Sequence, residues 1–346
     1  MRRLLALFAF FLLLTGCALT DPIVTVPNTG SPTVAGDALT VHFIDVGQAD
    51  CALLECNGEF ILIDGGNVED SSLVVSYLQK TGVEELAAVV CSHAHEDHVG
   101  GLPGVLAVFP TKAVYAPTRT YSSNCFDDFV RYADQQRLTI QIPAPGDSFT
   151  LGDATVTVLG PVKSYAETND TSIILMVQFG KNRFLFTGDM ETAAENDMLD
   201  AGTNVKADVL KVGHHGSNTS TGYRFLYQVD PDYAVISVGK GNTYDHPHEE
   251  PMSRLHDADV TVYRTDEMGT VIARSDGTTI SFSWENSQSQ PNDPTVGDQT
   301  YIGNIKSKAL HLPTCSSLPA EKNQILFDSY ENALDAGYAP CSRCMK

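Results

Sequence analysis

Basic side chains are scarce in this sequence: 22 Lys and Arg stand against 43 Asp and Glu, a formal charge of −21. That deficit excludes a protein that grips polyanions through a broad basic face. Any nucleic acid it handled would need local cations, such as metal ions, to offset the field. Long apolar runs are also scarce. Only one exists, at the extreme N-terminus, which excludes a polytopic membrane channel. Histidine is missing from a long central stretch, with none between His98 and His214 although the chain holds ten. No internal repeat at a short fixed period is visible. What is present is globular: 346 residues, 42% apolar and 19% charged, room for two domains, one of them with a full core.

The single apolar run reads as an export signal. Arg2 and Arg3 make a basic start, and Leu4 to Leu14 an apolar core too short to span a bilayer comfortably. Leu14-Thr15-Gly16-Cys17 closes it and resembles the bacterial lipobox, which implies a leader over 1–16 and lipidation of Cys17. Two acyl chains there would make a stable membrane anchor. Loss of Arg2 and Arg3 with the leader takes the charge from −21 to −23. Residues 17–37 are rich in Pro, Thr, Gly and Ser and read as a flexible tether. The expectation is an acidic, extracytoplasmic, lipid-anchored protein.

From Leu39 onward the pattern is that of strands. Leu39 to Val46 alternates, and Cys51 to Glu55 and Phe60 to Asp64 flank an Asn57-Gly58 hairpin turn. Strands are also predicted at 86–91, 155–159, 172–179, 183–187, 209–212, 233–238, 260–263, 270–274 and 279–284. Helices are predicted at 71–80, ending near Gly82, and at 126–136. The fold class this implies is α/β, two sheets with helices on their outer faces, over residues 38–284. A polar linker, 285–299, then leads to a near-neutral tail, 300–346, with five basic and four acidic side chains.

The strongest chemical signal is Ser92-His93-Ala94-His95-Glu96-Asp97-His98-Val99-Gly100-Gly101, directly after an apolar strand. His93 and His95 alternate, so both imidazoles can face one ion, while Asp97 and His98 suit a second. Two ions about 3.5–4 Å apart form the clamp used for phosphate-ester hydrolysis. The run resembles the signature of the metallo-β-lactamase fold superfamily, which implies a four-layer αββα sandwich. Leu62-Ile63-Asp64-Gly65-Gly66, Phe186-Thr187-Gly188-Asp189 and Lys211-Val212-Gly213-His214-His215-Gly216-Ser217 follow in the superfamily's order. The resemblance makes Asp189 the carboxylate between two ions and Asp64 a support for the metal loop.

A narrower resemblance is to the hydrolase domain of the ComEC-type competence proteins. It rests on Phe43-Ile44-Asp45-Val46-Gly47-Gln48-Ala49-Asp50, Asn169-Asp170-Thr171-Ser172, the His-His-Gly-Ser run and Asp245-His246-Pro247-His248. It implies a nuclease. One departure from the wider superfamily stands out: the third histidine of one metal site is missing, and Asn169 lies about where it would fall. Fewer imidazoles and more oxygen ligands shift the preference toward Mn²⁺ and away from tight Zn²⁺. By analogy His215 is the better ligand of the adjacent pair, leaving His214 to touch substrate or a carboxylate. The expected ligands are thus Asp97, His98, Asp189 and His215 for one ion and His93, His95 and Asp189 for the other, with Asn169 a further metal or substrate contact. Asp50 and Asp64 read as supporting carboxylates. His246 reads as a phosphate contact or proton donor, His248 as a structural loop residue, and Lys211 as a phosphate contact or a solvated strand end.

In the tail, His311-x₃-Cys315 and Cys341-x₂-Cys344 match a tetrahedral Cys₃His structural zinc site. A unit this small needs such a metal to fold. Disulfides are the rival, but three cysteines leave one over and give the histidine no purpose. Tyr301-Ile302-Gly303-Asn304, Ser307, His311, Cys315 and Gly337 to Cys344 resemble the metal-binding domain of Ada, with His311 where that domain has Cys. Cys51, Cys56, Cys91 and Cys125 read as core residues. The function expected is a metal-dependent phosphodiesterase, with two Mn or Zn ions, acting on DNA. A phosphodiesterase on an envelope component such as phosphorylcholine or teichoic acid, or a non-catalytic DNA-binding lipoprotein, are the alternatives. No protein partner is expected.

Overall fold

The computed structural model describes residues 38–286 and 301–346, apart from 314, 316–317, 328–332, 335, 342 and 345–346. The leader, the tether with Cys17 and nearly all of the 285–299 linker lie outside the described residues.

Two seven-stranded sheets make the main body. The first runs in the order β14 (Ile280–Trp284), β13 (Val271–Ser275), β1 (Leu39–Phe43), β2 (Ala52–Cys56), β3 (Glu59–Ile63), β4 (Ala88–Val90), β5 (Val114–Tyr115). The second runs β12 (Thr261–Arg264), β11 (Tyr233–Ile236), β10 (Val209–Lys211), β9 (Asn182–Phe186), β8 (Ile174–Phe179), β7 (Ala154–Gly160), β6 (Ser148–Leu151). The helices are α1 (Ser71–Thr81), α2 (Glu96–Val99), α3 (Leu102–Val108), α4 (Asn124–Gln135), α5 (Thr192–Asp200), α6 (Tyr223–Val229), α7 (Glu249–Asp257) and α8 (Thr265–Met268).

Period-two alternation sorts each strand between two layers of core. Leu175, Val177, Phe179, Phe184 and Phe186 meet Val41, Phe43, Leu54 and Val271 between the sheets. Their neighbours Ile174, Met176 and Leu185 face outward and pack with Met198 of α5, Phe225 of α6 and Leu255 of α7. On the far side, Leu53 and Leu62 pack with Val74 of α1, Val105 of α3 and Phe129 of α4. The result is the four-layer αββα sandwich that the resemblance implied. Phe43 and Phe186 stack across the two sheets, 6.0 Å between ring centroids, and burial of one such ring contributes about 1.5–3 kcal/mol.

Each sheet is mixed, with antiparallel strands on one side and parallel strands on the other. β3, β4 and β5 are parallel to one another, as are β9, β10, β11 and β12. Parallel strands end on one edge, where ligands of open α/β sheets bind. The tail has its own sheet, β17 (Gln324–Phe327), β15 (Tyr301–Asn304), β16 (Ala309–His311) and β18 (Ala339–Pro340). Tyr301, Leu310, Leu312, Ala333 and Tyr338 form its small core. No helix among the described residues is long and apolar enough to cross a membrane.

Candidate metal centre

The chemistry sits where those parallel strands end. β3 runs into Asp64, β4 into the loop from Ser92 to His98, β9 into Asp189, and β10 into His214 and His215. Tight glycine turns let these loops touch. Gly101 packs so closely that a Cβ there would stand 2.0 Å from the Gly65 carbonyl oxygen, and the Gly65 N–H donates to His98 O at 2.7 Å. Gly188, at φ 50°, brings Asp189 to the centre, with the Asp189 N–H donating to Ser172 Oγ at 3.1 Å.

Asp97, His98, Asp189 and His215 offer one atom each, all within 4.8 Å of one another. His98 Nε2 lies 3.3 Å from Asp189 Oδ1, and His215 Nε2 lies 3.2 Å from Asp97 Oδ2 and 3.6 Å from Asp189 Oδ2. His93 Nε2 stands 3.9 Å from the same Oδ2 and 3.1 Å from His95 Nδ1. The set expected for one ion is thus brought together, and His93 and His95, expected for the other, lie beside it. His98 Nε2 and Asp189 Oδ1 are buried and have no hydrogen-bond partner. Orphaned donor atoms of this kind, converging on one point, fit divalent cations.

The supporting hydrogen bonds fix which nitrogen faces inward. Asp64 Oδ2 accepts from His98 Nδ1 at 2.9 Å, and its other oxygen accepts the Ser92 N–H at 2.7 Å. His215 Nδ1 donates to the Ser237 carbonyl at 2.9 Å and lies 3.3 Å from Asp50 Oδ1. Nδ1 of both rings is thus engaged as a donor and Nε2 faces the site, the nitrogen that a metal would take in exchange for its proton. Burial opposes charge on His98 and His215, but the surrounding carboxylates outweigh it, Asp189 first. His98 is held well above the usual imidazole range and His215 is raised to about 10. Burial likewise opposes charge on Asp189 and Asp97. His98 most of all keeps both ionised, Asp189 well below the carboxylate range and Asp97 near about 2. Burial, then His98, lowers His93 well below the usual imidazole range, leaving it neutral.

Lys211 departs from both expectations. It is neither solvated nor directed at a phosphate: its ammonium is 3% exposed, 2.8 Å from Asp50 Oδ2, and donates to the Val212 carbonyl. It compensates Asp50, which burial opposes but Lys211 and His215 hold far below the carboxylate range. Asn169 joins the network through Glu191. Its amide donates to Glu191 Oε1 at 3.2 Å, while its buried Oδ1 has no partner. His246 lines the site, its ring 5.7 Å from that of His214 and 6.4 Å from that of His215. Gln48 Nε2 donates to His246 Nδ1 at 3.2 Å, which leaves the proton on Nε2. Burial and then the neighbouring imidazoles lower His246 to about 4, so it is neutral at pH 7 and donates as a neutral ring. His248 accepts the Asn218 N–H at 3.0 Å and caps the start of α7, a structural part as expected.

Sequence reading overlooked Gln48, Ser92, Glu191 and Ser237. Gln48 and Ser92 lie inside motifs already singled out, and Ser92 Oγ sits 3.2 Å from His93 Nδ1. Glu191 and Ser237 carry no local signal. In the tail, one atom each of His311, Cys315, Cys341 and Cys344 come within 4.8 Å of one another. None of the seven described cysteines is in a disulfide, which favours the zinc reading. Burial and the adjacent thiols push Cys344 up to about 12.

Comparison with known proteins agrees with this geometry. The family model of the metallo-beta-lactamase superfamily matches residues 44–240, and that of the metal binding domain of Ada matches residues 285–346. ComE operon protein 3 of Bacillus subtilis is 31% identical over 262 residues, 70% of this chain and 34% of the relative. Recombination protein 2 of Haemophilus influenzae is 36% identical over 240 residues, 67% of this chain and 28% of the relative. The chain thus spans about a third of the length of the curated relatives it matches. Among solved structures, the metallo-beta-lactamase fold protein YhfI of Bacillus subtilis superposes with a TM-score of 0.50 at 14% identity, covering 69% of this chain and all of that one.

Proposed function

Because the chain belongs to the metallo-β-lactamase superfamily, we propose that it is a metal-dependent phosphodiesterase that cleaves DNA. The observation that carries this reading is the convergence of Asp97, His98, Asp189 and His215 from separate loops onto one point, with His93 and His95 beside them. A scaffold that merely bound DNA would need no such set. Similarity over 67% of this chain to a relative named for recombination supports a polynucleotide substrate. Two divalent ions, Mn²⁺ or Zn²⁺, would supply Lewis acidity and water of lowered pKa. The protein's own groups do the rest. Asp64 and Asp50 hold the imidazoles in the right tautomer, and Asp189 keeps the two ligand groups in register. Gln48 aims His246, whose neutral Nε2–H can donate to a phosphate oxygen as charge develops there.

The test is cleavage of single- and double-stranded DNA, RNA and phosphorylcholine esters, with and without chelator. Chelator-sensitive cleavage of DNA is the expected result; activity on phosphorylcholine esters alone would establish the envelope substrate instead. The strongly acidic surface favours that second reading, since a small ester meets less repulsion than a polymer. No metal-dependent turnover on any of them would leave the DNA-binding lipoprotein. Export and anchoring through Cys17 complete the proposal, on the strength of the leader pattern. Cys17→Ser should release the protein into the medium, and a processed, unlipidated chain still held at the membrane would count against the anchor.

A further inference from the structure

The pair His93 and His95 lacks the third imidazole that the superfamily draws from the stretch where this chain has no histidine. The geometry points to His214 as its replacement, held in place by Thr219 and Glu191. The inference rests on the metal-dependent reading above and not on the identity of the substrate.

His214 and His215 are successive residues, both in the left-handed region at φ 50° and 52°. Non-glycine residues seldom adopt that conformation, and two in a row are rarer still. Here both rings of the pair face one oxygen of Asp189. His214 Nε2 lies 3.8 Å and His215 Nε2 3.6 Å from the same Oδ2, which His93 Nε2 approaches to 3.9 Å. His215 turns to the group with Asp97 and His98, so one dipeptide can serve both ions. The His214 N–H donates to the Gly188 carbonyl at 3.1 Å, which ties the turn to the loop that carries Asp189.

The hydrogen bonds behind the ring settle its tautomer. Thr219 Oγ1 donates to Glu191 Oε1 at 3.1 Å, so its lone pairs face His214 Nδ1 at 3.2 Å, and Nδ1 must be the donor. The Nε2 lone pair is then directed to Asp189. Glu191 stands 3.4 Å from the same Nδ1 and plays for His214 the part that Asp64 plays for His98. Asn169, near the position of the missing histidine, spends its amide on Glu191 at 3.2 Å. The missing ligand has moved from one loop to another, and the residue left behind supports the new one.

The experiment is manganese titration of the full chain after the body has been stripped with chelator, followed by calorimetry and electron paramagnetic resonance. Wild-type protein should bind two Mn²⁺ in the body and show the spectrum of an exchange-coupled pair. His214→Ala should bind one, with the six-line spectrum of an isolated ion. Thr219→Val and Glu191→Gln, which keep the ring, should weaken only the second ion, by roughly 10–100-fold. Asn169→Ala should still load both. A His214→Ala protein that holds two coupled ions at wild-type affinity overturns the assignment, and so does wild-type protein that never takes more than one. Should His214→Ala fail to fold, unchanged affinity in both Thr219→Val and Glu191→Gln overturns it equally. None of these readouts uses DNA, so a wrong substrate would leave them intact.

Discussion

The protein carries two clusters of metal-ligating side chains, one in the sandwich and one in the tail, and they are built on opposite principles. In the sandwich, imidazoles and carboxylates converge from loops of both sheets, His98 backed by Asp64 and His215 by the Ser237 carbonyl and Asp50, and His246 lies alongside. In the tail, one imidazole and three thiols come from two short segments of a unit whose apolar core, among the described residues, is built around Tyr301, Leu310, Leu312, Ala333 and Tyr338. Hard and intermediate donors around a shared carboxylate suit ions that must also engage substrate. Three thiolates and a histidine close a tetrahedron and leave no position open. The body has a large core of its own; the tail has a small one, which is where a structural metal contributes most.

The largest effect that sharpens this contrast comes from Asp189→Asn. It should cost at least about 10³-fold in turnover, above the loss from removing a single electrostatic donor, and cut the metal content of the body. The melting transition of the sandwich should stay cooperative. Wild-type rates in a metal-depleted variant would refute the two-ion site. Cys341→Ser should do the reverse: the tail should lose its zinc and its fold, since structural zinc supplies about 10–16 kcal/mol of apparent binding energy in such units. Hydrolysis of a small diester should stay within about twofold. A tail that keeps amide protection without zinc would break the comparison.

How much of this was legible beforehand follows from how local each signal is. His93 to His98 form one motif, and strands such as Ile174–Phe179 carry their own period, so the body's fold and most ligands were readable. Helices α3, α5, α6 and α7 were not, being seven to nine residues long. Gly104 interrupts α3 and Pro251 falls in the first turn of α7, which blurs any helical pattern. The role of Lys211 was illegible for a different reason. A lysine at a strand end reads as solvated until Asp50, far away in sequence, is found buried against it. Glu191 and Ser237 likewise acquire meaning only through what the fold brings beside them.

That Lys211–Asp50 pair gives an intermediate effect. Lys211→Met leaves a buried carboxylate uncompensated, which should cost about 3–5 kcal/mol of stability. It should not raise KM for a small diester, as loss of a true phosphate contact would. The pH response separates the two clusters further. In metal-free protein, the folded state raises His98 well above its usual pKa and His215 to about 10. The stability they contribute is therefore fully present below about pH 6.5 and is lost as pH rises through the folded values. Calorimetry should show the metal-free sandwich melting lower at pH 10 than at pH 7. Divalent ions should abolish that slope by taking the protons' place. A melting temperature that stays flat without metal would show that these imidazoles are not charged.

The smallest effect concerns what the tail adds to the body. A groove of about 210 Å³ runs between them, lined by Asn218, Tyr223, Glu250 and Arg254 on one side and Leu312 and Arg343 on the other. Asn218 also donates its N–H to His248, whose ring lies 4.8 Å from that of His246. The tail thus borders the rim of the catalytic site without supplying a group to it. A small diester needs only the ions and His246, so a chain ending at Asn286 should cleave it within about twofold of the full protein. A long strand can touch both modules, and the second contact then acts at high effective concentration. Truncation should therefore lower cleavage of long DNA several-fold while sparing short substrates. With so few cations in the tail, the gap should be modest and should narrow only gently as salt is added. Equal losses on long and short substrates would mean that the tail only braces α6 and α7, and a variant carrying Arg343→Ala would then behave as wild type on both.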